Sequence, residues 1–184
     1  MREDTRTKLF IFFVGFFITA TSFLPTIGGI SPEMTEYTNV VQRDSVTISV
    51  QSTQDTTTLH YTLGSFQTTP VKINDRTYVQ VSLGKEAKSL VAGAPDLPSI
   101  SRSIIIPDAA TTSIRVLSAS YVEYDNFYVA PSKGNLLRTV DPADVPFEFG
   151  SVYTQNTWYP MSIAELGESY YLRDFHGQVV TIHP

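Results

Sequence analysis

The residues that could carry acid–base chemistry are few in this chain. Histidine occurs only at His60, His176 and His183. His176 follows Asp174 by two residues, a spacing that suggests the base and acid of a serine triad. However, no Gly-x-Ser-x-Gly turn accompanies the pair, and so short an offset on a turn is poor geometry for an acid that orients a histidine. We therefore predict no catalytic triad.

Cysteine is absent from the whole sequence. Disulfides, thiolate metal sites and a cysteine nucleophile are thereby excluded within this chain. Asp141, Asp144 and Glu148 form a modest acidic cluster that could bind calcium, but the pattern of an EF-hand loop is missing. A solvated loop is the better interpretation of these acids. We predict no catalytic residue, no metal site and no cofactor.

The composition indicates one folded domain preceded by an export signal. Hydrophobic residues make up 42% of the sequence and charged residues 17%, which is enough apolar material for a core and too little charge for a disordered chain. The net charge is -5 at pH 7, and no basic stripe is visible. A nucleic-acid partner is therefore excluded. Because no disulfide can form, packing alone must stabilise the domain.

Residues 1–29 have the layout of a secretory signal. Basic residues open the segment, the almost purely apolar run Leu9–Leu24 follows, and Pro25 with nearby glycines ends it. A membrane anchor is the competing interpretation, but spanning needs roughly 20 apolar residues and the run is shorter. We predict a cleaved signal, with Ala20 and Gly29 as alternative cleavage points. The protein is then secreted or on the cell surface, and meets the membrane only through this segment.

The rest of the chain reads as a β domain. Residues 30–44 are polar and are predicted to be a flexible lead-in, whereas in residues 45–184 apolar and polar residues mostly alternate, as in half-buried strands. The predicted strands are 46–50, 59–63, 79–83, 104–106, 114–121, 147–153 and 179–182. Turn residues between them favour an all-β antiparallel sandwich or barrel-like domain. Ser162 and Glu165 have capping-box spacing, so we also expect one short helical turn that closes at Gly167.

The sequence stops at Pro184, directly after the last predicted strand. A β domain that ends there leaves a strand edge without its partner. We interpret the sequence as a piece of a longer precursor, with the domain truncated at its C-terminal end.

Two blocks go beyond generic strand patterns. The first is GAPDLPSISRSIIIP, residues Gly93–Pro107, and the second is APSKGNLLRTVDPADVPFEFG, residues Ala130–Gly150. Further motifs follow as WYP at Trp158–Pro160 and YYLRDFHGQVV at Tyr170–Val180. In their order and spacing these blocks resemble the N-terminal pro-domain of the gingipain family of secreted bacterial cysteine peptidases, over roughly residues 45–184.

Most residues of these blocks are expected to be structural. Proline fixes φ and pushes the preceding residue toward extended geometry, so the first block should enter Ile104–Ile106 as a rigid, extended edge. The Leu172-Arg173-Asp174 unit is expected to hold a sheet end through an ion pair or hydrogen bonds. The structural motif residues that we assign are Gly93, Pro95, Pro98, Arg102, Arg173 and Asp174.

The resemblance also implies a function. Pro-domains of this family keep the catalytic domain latent until secretion and assist its folding, so the implied partner is the catalytic domain of the chain's own precursor. In the arginine-specific members a loop arginine occupies the substrate pocket, at a fixed distance after the glycine of Ala-Pro-Ser-Lys-Gly. Gly134 is that glycine here, and Arg138 is the arginine. Lys133 is the rival if the peptidase prefers lysine.

Alternatives stay open at two levels. Arg138 could be an ordinary solvated loop residue, and Arg102 and Arg173 are further candidates for the pocket, although both look structural. The alternative function is a secreted β-sandwich module for binding or adhesion, without a peptidase partner. A catalytic domain with a histidine and a cysteine further along the gene would distinguish the pro-domain from such a module.

Overall fold

The computed structural model describes residues 9–11, 16–22, 37–43, 45–53 and 55–184. These ranges consist mainly of strands, with short 3₁₀ turns at Pro142–Asp144 and Ser151–Thr154. The strands are β1 (Leu9–Ile11), β2 (Phe16–Ser22), β3 (Tyr37–Arg43), β4 (Val46–Ser52), β5 (Thr56–Leu63), β6 (Gln67–Ile73), β7 (Arg76–Ser82), β8 (Ala87–Lys88), β9 (Pro98–Ile106), β10 (Thr112–Val116), β11 (Val122–Tyr124), β12 (Ala164–Leu172) and β13 (Phe175–Ile182).

Two antiparallel sheets make up the body of the domain. The five-stranded sheet has the order β10-β2-β5-β4-β3, and the four-stranded sheet has the order β12-β13-β9-β8. Two ribbons, β6–β7 and β1–β11, complete the strand pairing. In the four-stranded sheet, β9 and β13 pair from Ile100 opposite Ile182 to Ile106 opposite His176. The first motif block therefore supplies an inner strand of this sheet.

The inner faces of the two sheets form the main hydrophobic core. Alternate residues of β4 and β5 supply one layer, and β9, β12 and β13 supply the other. The buried residues of this core are Val46, Ile48, Leu59, Tyr61, Leu63, Leu83, Ile100, Ala164, Val180 and Ile182. Burial of such alternating side chains is the main favourable term in sheet packing. The all-β prediction is confirmed, and within the described ranges the architecture is a sandwich.

A smaller core supports the loops that carry the motif blocks. Its buried members are Val81, Leu97 and Val129, and the residues packed against them are Phe66, Val79, Tyr124, Phe127 and Tyr159. Phe66 meets Tyr124 and Phe127 edge-on, at centroid distances of 5.6 and 6.2 Å. The Val79 carbonyl accepts from the Ala130 N–H at 2.8 Å. This core therefore fixes the start of the second block against β7.

The predicted helical turn at residues 162–167 is wrong. The Ser162 hydroxyl donates to the carbonyl of Ala164 at 2.8 Å rather than capping a helix, and the chain continues as β12. Gly167 falls at a shift of register between β12 and β13. The local capping signal is overridden because β12 can pair along β13 and bury Ala164 in the main core.

Two predicted strands also differ from the structure. Residues 147–153 do not form a strand, because the Gly150 N–H bonds to the Gly93 carbonyl and the chain then turns through Ser151–Thr154. The strand expected at 114–121 ends at Val116. In the first segment Phe149 packs on Tyr78 of β7 without pairing as a strand, at 5.1 Å between ring centroids. In the second, Leu117 and Tyr121 are exposed.

Some strands carry no alternating pattern that would have revealed them. β6 contains Pro70, and β12 ends in Tyr170, Tyr171 and Leu172 in succession. β3 lies within residues 30–44, where a lead-in was predicted, and it pairs with β4 along its whole length. The sheet therefore begins before the predicted domain start at residue 45.

Two strands fall within the predicted export signal, residues 1–29. β1 pairs with β11, and β2 lies between β5 and β10. The rest of that segment lies outside the described residues, and the signal stays a prediction. In the described part of the chain, helices long and apolar enough to cross a membrane are absent.

Tyr61 provides a pH-dependent test of the main core. Its side chain is fully buried, and burial raises its pKa from 10.0 to about 12. Because the folded-state pKa lies above the ordinary value, the stabilisation is complete below about pH 10 and is lost as the pH rises through about 12. We expect the free energy of unfolding in urea to decline over this window, and Tyr61→Phe to flatten the decline.

The same substitution has a defined outcome at neutral pH. Among the described residues the Tyr61 hydroxyl has no hydrogen-bond partner, so Tyr61→Phe should cost less than about 1 kcal/mol at pH 7. The matched control is Tyr153→Phe, which removes a hydrogen bond to the Val129 carbonyl at 3.0 Å and should cost about 1 kcal/mol. Identical pH slopes for wild type and Tyr61→Phe would contradict the assignment.

Candidate functional site

The two motif blocks lie side by side in the structure. Pro95 and Pro131 form an antiparallel bridge between them. Three backbone hydrogen bonds support the bridge: Gly93 N–H to Ser132 O at 2.9 Å, Ser132 N–H to Ala94 O at 2.7 Å, and Asp96 N–H to Ala130 O at 3.0 Å. The blocks were separate motifs in the sequence, and these bonds make them one structural unit.

Gly93 closes a large loop through its own backbone. Its N–H donates to the Ser132 carbonyl, and its carbonyl accepts from the Gly150 N–H at 2.8 Å. A Cβ on Gly150 would lie 2.8 Å from the Gly93 oxygen, and Gly93 itself has a φ of +77°. Both positions therefore require glycine, one for space and one for conformation. Residues 133–149 leave and return at the same point.

Lys133 ties the loop across its base. Its ammonium donates to the Pro142 carbonyl at 2.6 Å and lies 4.1 Å from the ring centroid of Phe147. Gly134 follows with a φ of +80°, and its N–H donates to the Ser132 hydroxyl at 3.2 Å. Gly134 thus adopts a left-handed backbone conformation immediately after Lys133 in the Ala-Pro-Ser-Lys-Gly motif.

Arg138 lies at the apex of this loop. The Val140 N–H donates to the Leu137 carbonyl at 3.0 Å, which places Arg138 and Thr139 at the two corners of a turn. Arg138 is exposed, and in the part of the chain that the structure describes its guanidinium has no hydrogen-bond or ion-pair partner. The apex therefore offers a solvated cation.

The acids after the apex have structural roles. Asp141 begins the first 3₁₀ turn, where its carboxylate accepts from the Ala143 N–H at 2.8 Å. Asp144 follows in the same turn, and its N–H donates to the Asp141 carbonyl. Among the described residues, groups of three side chains able to hold a metal ion are absent. The turn stabilises the descending side of the loop.

Arg102 makes its side-chain contacts at the four-stranded sheet and not in the loop that carries Arg138. Its guanidinium donates to both carboxylate oxygens of Glu86, with Nη1···Oε2 at 3.0 Å and Nη2···Oε1 at 2.5 Å. These hydrogen bonds to Glu86 raise the pKa of Arg102 further above its ordinary value. A bidentate pair of this kind holds both partners in one geometry. It joins β9 to the residue that precedes β8.

Asp96 is a buried residue that sequence reasoning missed. It is 8% exposed, and its carboxylate accepts from the Lys88 ammonium at 2.6 Å. The signal in the sequence was its position between two prolines and next to the core residue Leu97, because an acid in such surroundings needs a cationic partner. Pro98 begins β9 opposite Lys88, so the pair fixes the entry to the sheet.

Arg173 and Asp174 form the corner of the β12–β13 hairpin. Arg173 has a φ of +55°, and the flanking residues Leu172 and Phe175 pair directly. Within the described ranges neither side chain makes the expected ion pair or hydrogen bond. The unit therefore holds the sheet end through its backbone turn, and the predicted side-chain contact is replaced by that turn.

The contacts of His176 and His183 are structural. His176 is buried, stacks on Tyr171 at 4.3 Å between centroids, and has its Nδ1 3.3 Å from the Pro107 carbonyl. His183 pairs with Glu165 at 3.0 Å. These contacts give both rings structural roles in the four-stranded sheet.

The part of the chain that contains both blocks matches a known family. Residues 37–184 match the family described as Propeptide_C25. Gingipain R1 of Porphyromonas gingivalis is 31% identical over 159 residues, which is 86% of this chain and 16% of that protein. Gingipain R2 of the same organism is 35% identical over 92 residues, which is 50% of this chain and 12% of that protein. The chain spans less than a fifth of the length of these relatives.

Comparison with solved structures shows the same fold. The structure described as the complex of Porphyromonas gingivalis RgpB pro- and mature domains has a TM-score of 0.64 and 24% identity, covering 80% of this chain and 73% of that one. A structure on the zymogenic latency of gingipain K from Porphyromonas gingivalis has a TM-score of 0.55 and 18% identity, with 80% of each chain covered.

Gly150→Ala tests the closure of the loop. The added methyl group would contact the Gly93 oxygen at a distance that real side chains do not adopt, so the hydrogen bond between the two glycines must open. We expect a loss of about 1–3 kcal/mol in the free energy of unfolding, measured in urea. Ser151→Ala, at an exposed neighbouring position, is the control and should change it by less than about 0.5 kcal/mol. A neutral Gly150→Ala would contradict the closure.

Lys133→Met tests the tie across the loop base. The substitution keeps the apolar stem and removes both the hydrogen bond to Pro142 and the cation over Phe147. We expect a loss of about 1–2 kcal/mol in stability and faster trypsin cleavage after Arg138, followed by mass spectrometry. The control is Lys72→Met, because Lys72 is an exposed lysine on β6. Unchanged cleavage at Arg138 would show that the tie does not restrain the loop.

Proposed function

This chain belongs to the family of gingipain propeptides, and from that premise we propose that it is an exported pro-domain that keeps a cysteine endopeptidase of its own precursor latent and assists its folding. It has no cysteine, so the nucleophile must come from another part of the precursor. The observation that carries the proposal is Arg138, an exposed cation without a partner among the described residues, at the apex of a loop whose base is fixed.

We infer that Arg138 occupies the substrate pocket of the peptidase. A pocket for arginine needs an acid at its base, because a carboxylate can accept two parallel hydrogen bonds from a guanidinium. Within the described ranges Arg138 has no ion-pair partner, so its entry into such a pocket would break no ion pair with those residues. Closure at Gly93 and the Lys133 tie restrict the loop before binding, which lowers the entropy lost on association.

The turn at the apex supports inhibition without cleavage. The bond that a peptidase would cut after Arg138 joins the two corner residues of the Leu137–Val140 turn. Efficient attack requires the nucleophile and the carbonyl to align closely. A peptide bond held inside a closed turn lacks the extended geometry of a substrate. The arginine can therefore fill the pocket while its peptide bond stays out of line.

Two of the other basic candidates have partners within the domain. Lys133 donates to the Pro142 carbonyl, and Arg102 is bound to both oxygens of Glu86. Arg173 is also exposed, but it lies in the two-residue turn of the β12–β13 hairpin and outside the second motif block. Arg138 lies in the loop whose base is fixed, and among the described residues its guanidinium makes no hydrogen bond or ion pair. The proposal thus favours an arginine-specific over a lysine-specific partner.

Arg138→Ala tests this role directly. Loss of a buried anchor that leaves its partner unpaired costs about 2–5 kcal/mol. We therefore expect the inhibition constant of the recombinant domain, titrated against an arginine-specific gingipain-like peptidase, to rise about 30-fold to a few thousand-fold. Arg138→Lys keeps the charge but loses the paired hydrogen bonds, and should fall between wild type and alanine.

Arg173→Ala is the matched control, since it removes an exposed arginine outside the loop. Equal inhibition by wild type and Arg138→Ala, with thermal melting unchanged, would overturn the role of Arg138. Reading the gene beyond residue 184 tests the wider proposal. A catalytic domain with a histidine and a cysteine must follow, and an adhesion module with no such domain would contradict latency.

A further inference from the structure

The loop that carries Arg138 is bordered by exposed aliphatic side chains. Leu137 is 74% exposed and Val140 is 38% exposed, on the two sides of the apex turn. Leu90 and Val91, at 55% and 56%, lie on the loop that precedes the first motif block. Single exposed aliphatic residues are common, but a group of them on two neighbouring loops is typical of an interaction surface.

The two loops are in contact, which brings Leu90 and Val91 close to the start of the loop that carries Arg138. The loop from Ser89 to Leu97 is closed by a hydrogen bond between its ends at 2.9 Å, and the Val91 carbonyl accepts from the Ala94 N–H at 3.2 Å. Ala92 lies directly against Gly134, where an added Cβ would be 3.0 Å from the Ala92 Cβ. The position of Leu90 and Val91 is thus fixed relative to the start of the arginine loop.

We propose that Leu137, Leu90 and Val91 form an apolar rim that docks on the catalytic domain beside its arginine pocket. This inference rests on the proposed function and adds a second set of contacts to it. The catalytic domain is the expected partner because the rim includes Leu137, which is continuous in sequence with Arg138. Leu137 is bonded to Arg138, so any surface that accepts the arginine must also meet the leucine. Two other charged residues of this loop, Lys133 and Asp141, make hydrogen bonds within it.

The apolar rim also predicts a property of the catalytic-domain surface that it contacts. A surface that buries Leu137 has to be apolar at the position that receives the residue before arginine. Burial of an aliphatic side chain is nearly independent of salt, whereas the guanidinium contact weakens as ionic strength rises. The peptidase should therefore favour substrates with an apolar residue before arginine.

Variants of the rim test the proposal through inhibition constants. Leu137→Ser and the double variant Leu90→Ser/Val91→Ser should each weaken inhibition about tenfold. The inhibition constants of the rim variants should depend on salt concentration as that of the wild type does. The inhibition constant of Arg138→Ala should depend on salt concentration less. The control is Ile105→Ser/Leu172→Ser, because these residues are 70% and 65% exposed on strands outside the two loops. It should inhibit within twofold of the wild type.

The outcomes separate this inference from the function on which it rests. If Arg138→Ala weakens inhibition and both rim variants do not, the rim is overturned and the pocket role stands. If the strand control weakens inhibition as much as the rim variants, the effect is general and the rim is again overturned. If Arg138→Ala also has no effect, the proposed function fails first. Thermal melting of each variant confirms folding.

A second readout uses the peptidase without the pro-domain. Fluorogenic peptides that end in Leu-Arg and in Ser-Arg differ only at the position that Leu137 would occupy. We expect kcat/KM to be about five- to tenfold higher for Leu-Arg. Equal values for the two peptides would overturn the apolar surface, whatever the inhibition constants show.

Discussion

The presentation of the arginine loop depends on one glycine backbone. Gly93 donates to the start of the loop and accepts from its end, so both ends are fixed to a single residue. The contact is possible only because Gly93 and Gly150 lack side chains at the point where their backbones meet. The small core around Leu97 and Val129 holds the segments that reach this junction. The β-sandwich thereby holds this loop in a defined orientation.

The loop combines a rigid base with a chemically free apex. Its base is held by backbone hydrogen bonds and the Lys133 ammonium, whereas Arg138 has no partner in the described part of the chain. In the proposed complex, preorganisation of the loop base would lower the entropy cost of binding, and the Arg138 guanidinium would contribute long-range attraction and specificity. The proposed apolar rim would add short-range contacts that depend little on salt. The two kinds of interaction would then come from neighbouring residues.

The sequence predicted the elements whose side chains alternate and missed those that depend on distant backbone contacts. Val46 and Ile48, like Leu59 and Tyr61, follow a period of two because each faces the opposite sheet. The segment before Gly150 shows the same alternation, yet a hydrogen bond to Gly93 diverts it, and no local pattern encodes that bond. Arg138 was found through motif resemblance, since an exposed arginine has no signature of its own. Its turn and the neighbouring loop became visible only in three dimensions.

The place of β2 in the five-stranded sheet gives a segment near the start of the chain a share in the fold. β2 pairs with β5 and β10, which come much later in the chain. Pairing between distant segments is slow, because a long loop must close before any contact compensates for its entropy. β2 is therefore expected to join the sheet after local hairpins such as β4–β5 have formed. If the predicted signal were cleaved after Gly29, the sheet would lose β2, and β5 and β10 would lose the strand that joins them.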